Sequence, residues 1–195
     1  MTRPLERGID PIFINRWSPR AFDESGISES ELLQFLEAAR WAPSAYNAQP
    51  WRFVYARRGT AHWQPFLDLL VPYNRDWAQR ASAIVFVLAA QKFTPEGAAE
   101  AIETGYAAYD TGAAVAYLTL QASISGWHSH IIAGFDRDAA KTLLKIPEGY
   151  AFESAVVIGR QGDPSTLPPA LQERETPTPR ASLEQLVAEG VFTFK

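Results

Sequence analysis

Three short polar patterns in this chain have residue types that bind polar ligands, and the first is Arg16-Trp17-Ser18-Pro19-Arg20. Pro19 biases Ser18 towards an extended conformation. Alternation along an extended chain then places Arg16, Ser18 and Arg20 on one side. Because guanidinium groups donate forked hydrogen bonds to phosphate, this side is a candidate anion site. The alternative interpretation is a solvated basic edge.

The second pattern is the loop from Trp41 to Trp51, which follows a helical pattern and has Pro43 near its start. Proline cannot occupy a helix interior, so the helix must end here. Ser44 and Asn47 tolerate turn geometry, and together with Gln49 they offer hydrogen-bonding groups. The loop therefore suits a polar, planar ligand, or it is a connector packed by its aromatic residues.

The third pattern is the glycine turn Ala133-Gly134-Phe135, which would expose backbone N–H groups. A phosphate, a polyhydroxylated chain and a hydrogen-bonding heterocycle would match the three patterns in that order. A flavin mononucleotide (FMN) contains all three parts.

Bulk composition narrows the class of protein. The 195 residues are 47% hydrophobic, which is enough for one domain with a large core. A net charge of -4 without a Lys/Arg cluster argues against a nucleic-acid partner. The chain has no cysteine, which excludes Cys-ligated metals and a thiol nucleophile and fits a cytoplasmic location. The longest apolar run, Ala81 to Ala90, is about half a membrane span, so no membrane partner is expected.

Several catalytic motifs are absent from the sequence. It has no GxGxxG, GxxxxGK[ST] or GxSxG pattern, so a Rossmann fingerprint, a P-loop and an esterase-type serine are unsupported. His128 and His130 would share a strand face, as paired metal ligands can, but no third ligand of suitable spacing is evident. We therefore predict no metal site and expect these histidines to pack or to face a substrate, with a metallohydrolase as a distant third interpretation.

Helix and strand patterns alternate, which predicts an α+β protein, an α/β three-layer sandwich with helices on both faces. The clearest helix runs from Ser28 to Arg40, where Ser28 and Glu31 form a capping-box pattern. Asp136 is expected to cap a later helix. Strands are predicted near 51–56, 83–90, 127–132 and 152–158, and further helices at 5–15, 62–70 and 98–125.

The predicted helix at 98–125 has small residues on several faces, among them Ala108, Gly112 and Ala114. A helix that is apolar or small nearly all round is buried in the core or against another chain. We expect this helix to pack against a partner subunit.

Residues 162–195 differ in composition from the rest of the chain, because a proline-rich stretch is followed by short apolar segments. A proline-rich stretch alone would be typical of a solvated tail. Since structure is predicted after it, we interpret 162–195 as a C-terminal arm of a single domain, 1–195.

Taken together, these patterns show that the chain resembles the nitroreductase family of flavin enzymes over essentially its whole length. The resemblance depends on R-x-S-x-R-x-F at 16–22, P-S-x-x-N-x-Q-P-W at 43–51, Asn74, G-F-D at 134–136 and Pro179-Arg180. It implies a nitroreductase-like fold with a mixed central sheet, an FMN cofactor and a homodimer that exchanges its C-terminal arms. Two departures are Trp17 and Ala133, where many relatives carry a basic residue and a Gly or acidic residue, respectively.

The resemblance also implies a distribution of the cofactor's contacts. The phosphate would be held by Arg16, Ser18, Arg20 and Arg180, and Asn74 would bind the polar edge of the ring. The loop at 43–49 would come from the partner subunit, and the backbone at 131–134 would lie near flavin N5. The complete set of implied cofactor-binding residues is Arg16, Trp17, Ser18, Arg20, Pro43, Ser44, Ala45, Asn47, Gln49, Asn74, Ile131, Ile132, Ala133, Gly134 and Arg180.

The implied chemistry is ping-pong transfer of hydride from NAD(P)H, through flavin N5, to an electrophilic acceptor such as a nitroaromatic compound or a quinone. No side-chain nucleophile is required, and Arg20 is the side chain expected to stabilise negative charge at the ring. Tyr46, Trp41 and residues 91–106 are either substrate-pocket walls or core aromatic positions. Alternatives on the same scaffold are dehalogenation, dehydrogenation, flavin fragmentation and flavin binding without turnover.

Overall fold

The computed structural model describes residue 3 and residues 7–194. A four-stranded sheet and a two-stranded hairpin contain its strands, and every pairing within them is antiparallel. The strands are β1 (Trp51–Arg57), β2 (Ala83–Ala90), β3 (Lys92–Phe93), β4 (Ile102–Glu103), β5 (His128–Ile132) and β6 (Tyr150–Gly159). The main sheet has the order β1-β2-β6-β5, so mixed pairing does not arise among these four strands.

Helices cover both faces of this sheet. They are α1 (Ile12–Asn15), α2 (Glu29–Arg40), α3 (Trp63–Asp68), α4 (Pro72–Ala78), α5 (Ala107–Ile124), α6 (Arg137–Leu143) and α7 (Pro169–Gln172). Short 3₁₀ turns lie at Ala45–Asn47, Pro164–Thr166 and Leu183–Gln185. None of the helices within the described residues is long and apolar enough to cross a membrane.

The central strand β2 joins the two halves of the core, because its side chains alternate between the two faces of the sheet. Ile84 and Phe86 pack in a cluster with residues of α3, α4 and α6. Val85 and Val87 pack in the opposite cluster, with residues of α2 and α5. The three-layer α+β fold predicted from the sequence is therefore confirmed.

Local capping signals in the sequence are also confirmed. The backbone N–H of Glu31 donates to Ser28 Oγ at 3.2 Å, and the Glu31 carboxylate accepts from the Ser28 N–H at 3.1 Å. At α6, Asp136 Oδ1 accepts from the N–H of Ala139 at 2.9 Å. Each of these caps stabilises its helix by about 1 kcal/mol.

The helix predicted at 98–125 begins only at Ala107, so its first nine residues were wrongly assigned. Ile102 and Glu103 instead form β4, which pairs with Lys92 and Phe93. Ile102 fits the helical spacing by coincidence, and Gly105 precedes the true start. The helix predicted at 5–15 is confined to Ile12–Asn15, after Pro11, and Leu5 lies outside the described residues.

The C-terminal segment has two parts with different surroundings. Leu167, Leu171 and Glu175 are buried against the rest of the same chain. Beyond residue 181 most apolar side chains are exposed, and Val191 and Phe192 are 71% and 83% accessible. The division into a single domain with an arm at 162–195 stays a prediction.

Candidate functional site

A cavity of about 430 Å³ opens where the N-terminal segment, β5 and the C-terminal segment meet. Among the described residues, five arginines and one acidic residue line it. Such an excess of positive charge favours an anionic ligand. The lining residues are Arg3, Arg16, Trp17, Ser18, Arg20, His130, Glu173, Arg174, Thr176, Thr178 and Arg180.

Arg16, Ser18 and Arg20 therefore line one cavity, and Arg180 reaches the same space from the other end of the chain. The Arg16 Nη1 atom donates to Ser18 Oγ at 3.3 Å. Arg180 Nη1 lies near acceptors of its own segment, the carbonyls of Thr178 and Pro179 and Thr178 Oγ1. In the described contacts, none of these arginines is paired with a carboxylate.

Close packing fixes the backbone that carries the first two arginines. Phe22 forms an antiparallel bridge with Gln161, and the N–H of Gly162 donates to Ala21 O at 2.9 Å. A Cβ on Gly162 would lie 2.6 Å from the carbonyl carbon of Phe22, so only glycine fits there. The extended Arg16–Phe22 segment thus lies directly against the chain that leaves β6.

A buried carboxylate of the C-terminal segment also holds the extended Arg16–Phe22 segment in place. Glu175 Oε1 accepts hydrogen bonds from the backbone N–H groups of Arg20, at 2.7 Å, and Ala21, at 2.8 Å. These short distances are typical of charge-assisted hydrogen bonds. The C-terminal segment that contains Arg180 is therefore hydrogen-bonded to the extended segment that contains Arg20.

Arg3 lies in the same cavity and also joins the two ends of the chain. Its guanidinium donates to Thr178 O at 3.0 Å, Ile14 O at 2.8 Å and Arg16 O at 3.0 Å. The pKa of Arg16 is lowered from its ordinary value by burial first, and then by the charges of Arg180 and Arg3. Because the cations repel one another, an anion placed among them would be favoured.

His130 contributes an uncharged edge to this cavity. Its Nδ1 lies 3.0 Å from Pro19 O, and its ring packs on Trp77 with centroids 4.8 Å apart. A carbonyl oxygen can only accept, so Nδ1 carries the proton and Nε2 is left as an acceptor. The pKa of His130 is lowered to about 4, first by burial and then by the charges of the neighbouring Arg20 and Arg16. The imidazole is therefore neutral at pH 7.

The two strand histidines do not act together. His128 Nδ1 is buried and has no hydrogen-bond partner, whereas His130 is bonded to Pro19 O. Burial also lowers the pKa of His128. Within residue 3 and residues 7–194, no group of three His, Cys, Asp or Glu side chains could hold a metal ion.

Asn74 and Gly134 form a second polar element at the far end of β5. The Asn74 side chain is buried, and its Nδ2 donates to Gly134 O at 3.0 Å. A Cβ on Gly134 would lie 2.5 Å from that nitrogen, so glycine allows the amide to approach. Of the residues that precede Gly134, Ile132 is buried, whereas Ile131 and Ala133 are exposed.

The loop at 43–49 is held in a strained conformation. Tyr46, Asn47 and Gln49 all have positive φ, between 47° and 53°, which is unfavourable for residues other than glycine. Polar side chains hold this geometry. Ser44 Oγ accepts from the N–H of Gln49, and the buried Asp110 accepts from the N–H of Ala45, each at 3.0 Å. Arg52 Nη1 also donates to Gln49 O, at 2.9 Å. Such strain is common where a loop must present groups to a ligand.

None of the described residues lining the arginine cavity belongs to this loop. Tyr46 is 84% exposed and stacks on Phe93, with ring centroids 6.1 Å apart. The Trp41 indole instead turns back onto α2, where its Nε1 donates to Glu37 and Arg40 lies over its ring. Tyr46 and Trp41, both predicted as substrate contacts, are therefore involved in separate packing arrangements.

Several cavity residues have no local signal in the sequence. Arg3 stands alone near the N-terminus, and Thr176 and Thr178 lie in a proline-rich stretch without periodicity. In the sequence His130 stands out only as one of a histidine pair, although it lies on the strand that leads into the glycine turn. Glu175 and Asp110 act through long-range backbone contacts that no local motif reveals.

Comparison with known proteins decides the family. The sequence profile of the Nitroreductase family matches residues 14–70 and 60–160. The chain belongs to this family. A protein named NADH dehydrogenase from Thermus thermophilus is 29% identical over 180 residues, which cover 78% of this chain and 87% of that protein.

Solved structures agree with the nitroreductase assignment. One described as an oxidoreductase containing FMN is 42% identical, covers 99% of this chain and 97% of its own, and superposes with a TM-score of 0.95. A nitroreductase-like protein from Streptococcus mutans shares the fold at 23% identity, with a TM-score of 0.71 and 93% and 97% of the two chains covered. The nitroreductase fold implied by the sequence motifs is confirmed.

Proposed function

We propose that this nitroreductase-family protein is an FMN-dependent oxidoreductase that passes hydride from NAD(P)H to an electrophilic acceptor, such as a nitroaromatic compound or a quinone. The arginine-lined cavity carries the proposal, because it combines several guanidinium donors with hydroxyl groups in a space of about 430 Å³. The relative that contains FMN supports it, since it is 42% identical over nearly the whole chain.

The chemistry of the cavity fits the phosphate end of FMN. Arg16, Arg20 and Arg180 would bind the phosphate oxygens, and Ser18 would donate through its hydroxyl. The pKa of Arg16 is lowered by burial first and then by repulsion from Arg180 and Arg3, and a dianion would relieve that repulsion. Trp17 contributes no charge, so the phosphate's countercharge would come from the arginines alone.

Asn74 and the turn at 131–134 would contact the ring. The Asn74 amide is buried and fixed by Gly134, so it is oriented before any ligand binds. Preorganised donors are worth more than mobile ones, because no entropy is lost when the ligand arrives. The contacts at Ile131, Ile132 and Ala133 would be made by the backbone.

When bound, FMN would supply the hydride-transfer chemistry, and the protein would supply position, charge and exclusion of water. Arg20 is the cation that we propose to stabilise negative charge in the site, since two backbone hydrogen bonds to Glu175 fix its main chain. Tyr46 and Phe93, stacked and partly exposed, would form an aromatic wall for a planar acceptor.

We further propose that two copies of the chain complete each site. The loop at 43–49 lies outside the arginine cavity of its own chain, which supports a role at the partner's site. Pro43, Ser44, Ala45, Asn47 and Gln49 would then cover the partner's FMN.

Exposed apolar residues on α5 and on the C-terminal arm support such a homodimer. On α5, Tyr109 and Ile124 are 79% and 66% exposed, and the small residues Gly112 and Ala116 lie between them on the surface. Exposed apolar surface of this kind marks interaction sites. The exposed Val191 and Phe192 of the arm would pack on the partner. A monomeric sedimentation profile at micromolar concentration would contradict this assembly.

Initial-rate kinetics of NAD(P)H oxidation test the activity. With FMN supplied, a quinone or nitroaromatic acceptor should give parallel double-reciprocal lines, since donor and acceptor would use the site in turn. A protein that binds FMN but oxidises neither NADH nor NADPH would be a flavin-binding protein and not this enzyme. The cytoplasmic location stays a prediction.

A further inference from the structure

Glu175 is a buried acidic residue among exposed neighbours. Its side chain is 7% accessible, whereas Arg174 and Thr176 on either side are exposed and line the arginine cavity. A buried carboxylate is costly unless it is paired or hydrogen-bonded. The position therefore needs an explanation in terms of its partners.

The partners of Glu175 are backbone groups and not arginines. Oε1 accepts from the successive N–H groups of Arg20 and Ala21, at 2.7 and 2.8 Å. Oε2 is buried without a hydrogen-bond partner, and Glu175 takes part in none of the ion pairs of the described chain. The carboxylate thus fastens the chain without neutralising the adjacent guanidinium groups.

We propose that Glu175 is a positioning residue for the anion site: it holds the C-terminal segment against the extended Arg16–Phe22 segment, so that Arg20 and Arg180 can bind the same anion. The identity of that anion as the FMN phosphate rests on the proposed function. One oxygen makes both hydrogen bonds, so the essential property is an acceptor at this distance from the backbone and not the negative charge.

Electrostatics and positioning predict opposite effects of changing this residue. A negative charge beside a phosphate site repels the phosphate, so its removal alone should strengthen binding. Loss of the two hydrogen bonds to Glu175 should weaken phosphate binding, because Arg20 and Arg180 would no longer be held close together. Two variants separate these effects: Glu175→Gln keeps a carbonyl acceptor and removes the charge, whereas Glu175→Asp keeps the charge and shortens the reach by ~1.5 Å.

The experiment measures dissociation constants of FMN and of riboflavin, which lacks the phosphate, by flavin fluorescence with the full-length protein freed of flavin. Glu175→Asp should weaken FMN binding by about tenfold or more, the value of a lost charge-assisted hydrogen bond, and leave riboflavin binding within about twofold. Glu175→Gln should stay within about threefold of wild type for both ligands. Glu173→Gln, an exposed neighbour on the same cavity, is the matched charge control and should not weaken FMN binding.

Equal losses for Glu175→Gln and Glu175→Asp, or an Asp variant as tight as wild type, would overturn the proposal. So would an Asp variant that loses riboflavin and FMN equally, because the effect would then be general. Hydrogen exchange at the Arg20 and Ala21 amides gives a readout that needs no flavin: exchange should be faster in Glu175→Asp alone. If wild type binds riboflavin as tightly as FMN, the phosphate assignment fails, and the exchange rates still decide whether Glu175 holds the extended segment in place.

Discussion

The strained loop at 43–49 should depend on Asp110, and replacing Asp110 with alanine tests this. The Asp110 carboxylate is 5% accessible and accepts from the Ala45 N–H at 3.0 Å across 65 residues of sequence. Without it, the remaining side-chain hydrogen bonds of the described loop are those of Ser44 to the Gln49 N–H, of Gln49 to Asn47 O and of Arg52 to Gln49 O, and none of them holds Ala45. The left-handed residues that follow Ala45 would then be free to relax.

The magnitude follows from one hydrogen bond and the strain it opposes. A hydrogen bond to a charged acceptor is worth about 1.5–3 kcal/mol. Each left-handed residue other than glycine costs roughly 1–2 kcal/mol, and Tyr46, Asn47 and Gln49 are all of this kind. Because the strain favours relaxation once the bond is lost, Asp110→Ala should weaken flavin binding by about 1.5–3 kcal/mol, or roughly 10- to 100-fold.

The assay is the same pair of titrations with FMN and riboflavin. This loop is proposed to cover the ring and not the phosphate, so both ligands should lose affinity by the same factor. Asp110→Asn is the matched control, because its amide oxygen can still accept from Ala45, and it should stay close to wild type. Unchanged flavin affinity in Asp110→Ala, or a loss confined to FMN, would refute the role given to this loop.

Three further predictions concern the cavity and the partner's loop. Arg180→Ala should weaken FMN binding by about 1.5–3 kcal/mol if it makes a charge-assisted phosphate bond, and full flavin retention on dialysis would refute this. Asn47→Leu should lower flavin occupancy through the partner's site with little change in folding; undiminished occupancy would argue against the cross-subunit placement. His130, half-buried with a pKa of about 4, should cost stability in acid. Its unfolded form takes up a proton below about pH 6.5 and its folded form does not, so the free energy of unfolding should fall by about 3 kcal/mol between pH 6.5 and 4. This component should be absent from denaturant titrations of His130→Gln, and an identical pH dependence in both proteins would exclude it.

The sequence predicted those parts of the fold that depend on local signals. The apolar run of β2 indicated a strand covered on both faces, and Ser28 with Glu31 marked the start of α2. The start of α5 was missed because Ile102 matches the helical spacing by chance, while the pairing of β4 with β3 is a contact that spacing alone does not reveal. Local periodicity therefore determined the elements but not every boundary.

The candidate site was predictable to the same degree. Alternation in an extended segment was sufficient to put Arg16, Ser18 and Arg20 on one side, and all three line the cavity. The partners that fix this segment are distant in sequence: Glu175 bonds to Arg20 across 155 residues and His130 to Pro19 across 111. Such contacts follow from the packed fold, so a single sequence contains no periodic signal for them.

The absorption spectrum of the purified protein, before and after anaerobic addition of NADH or NADPH, tests whether the protein binds FMN and reduces it with a nicotinamide. We expect the visible absorption of bound oxidised flavin, its release as FMN on denaturation, and its bleaching by at least one of the two nicotinamides. A protein that retains no FMN after incubation and dialysis, or whose bound flavin is bleached by neither, would contradict this expectation.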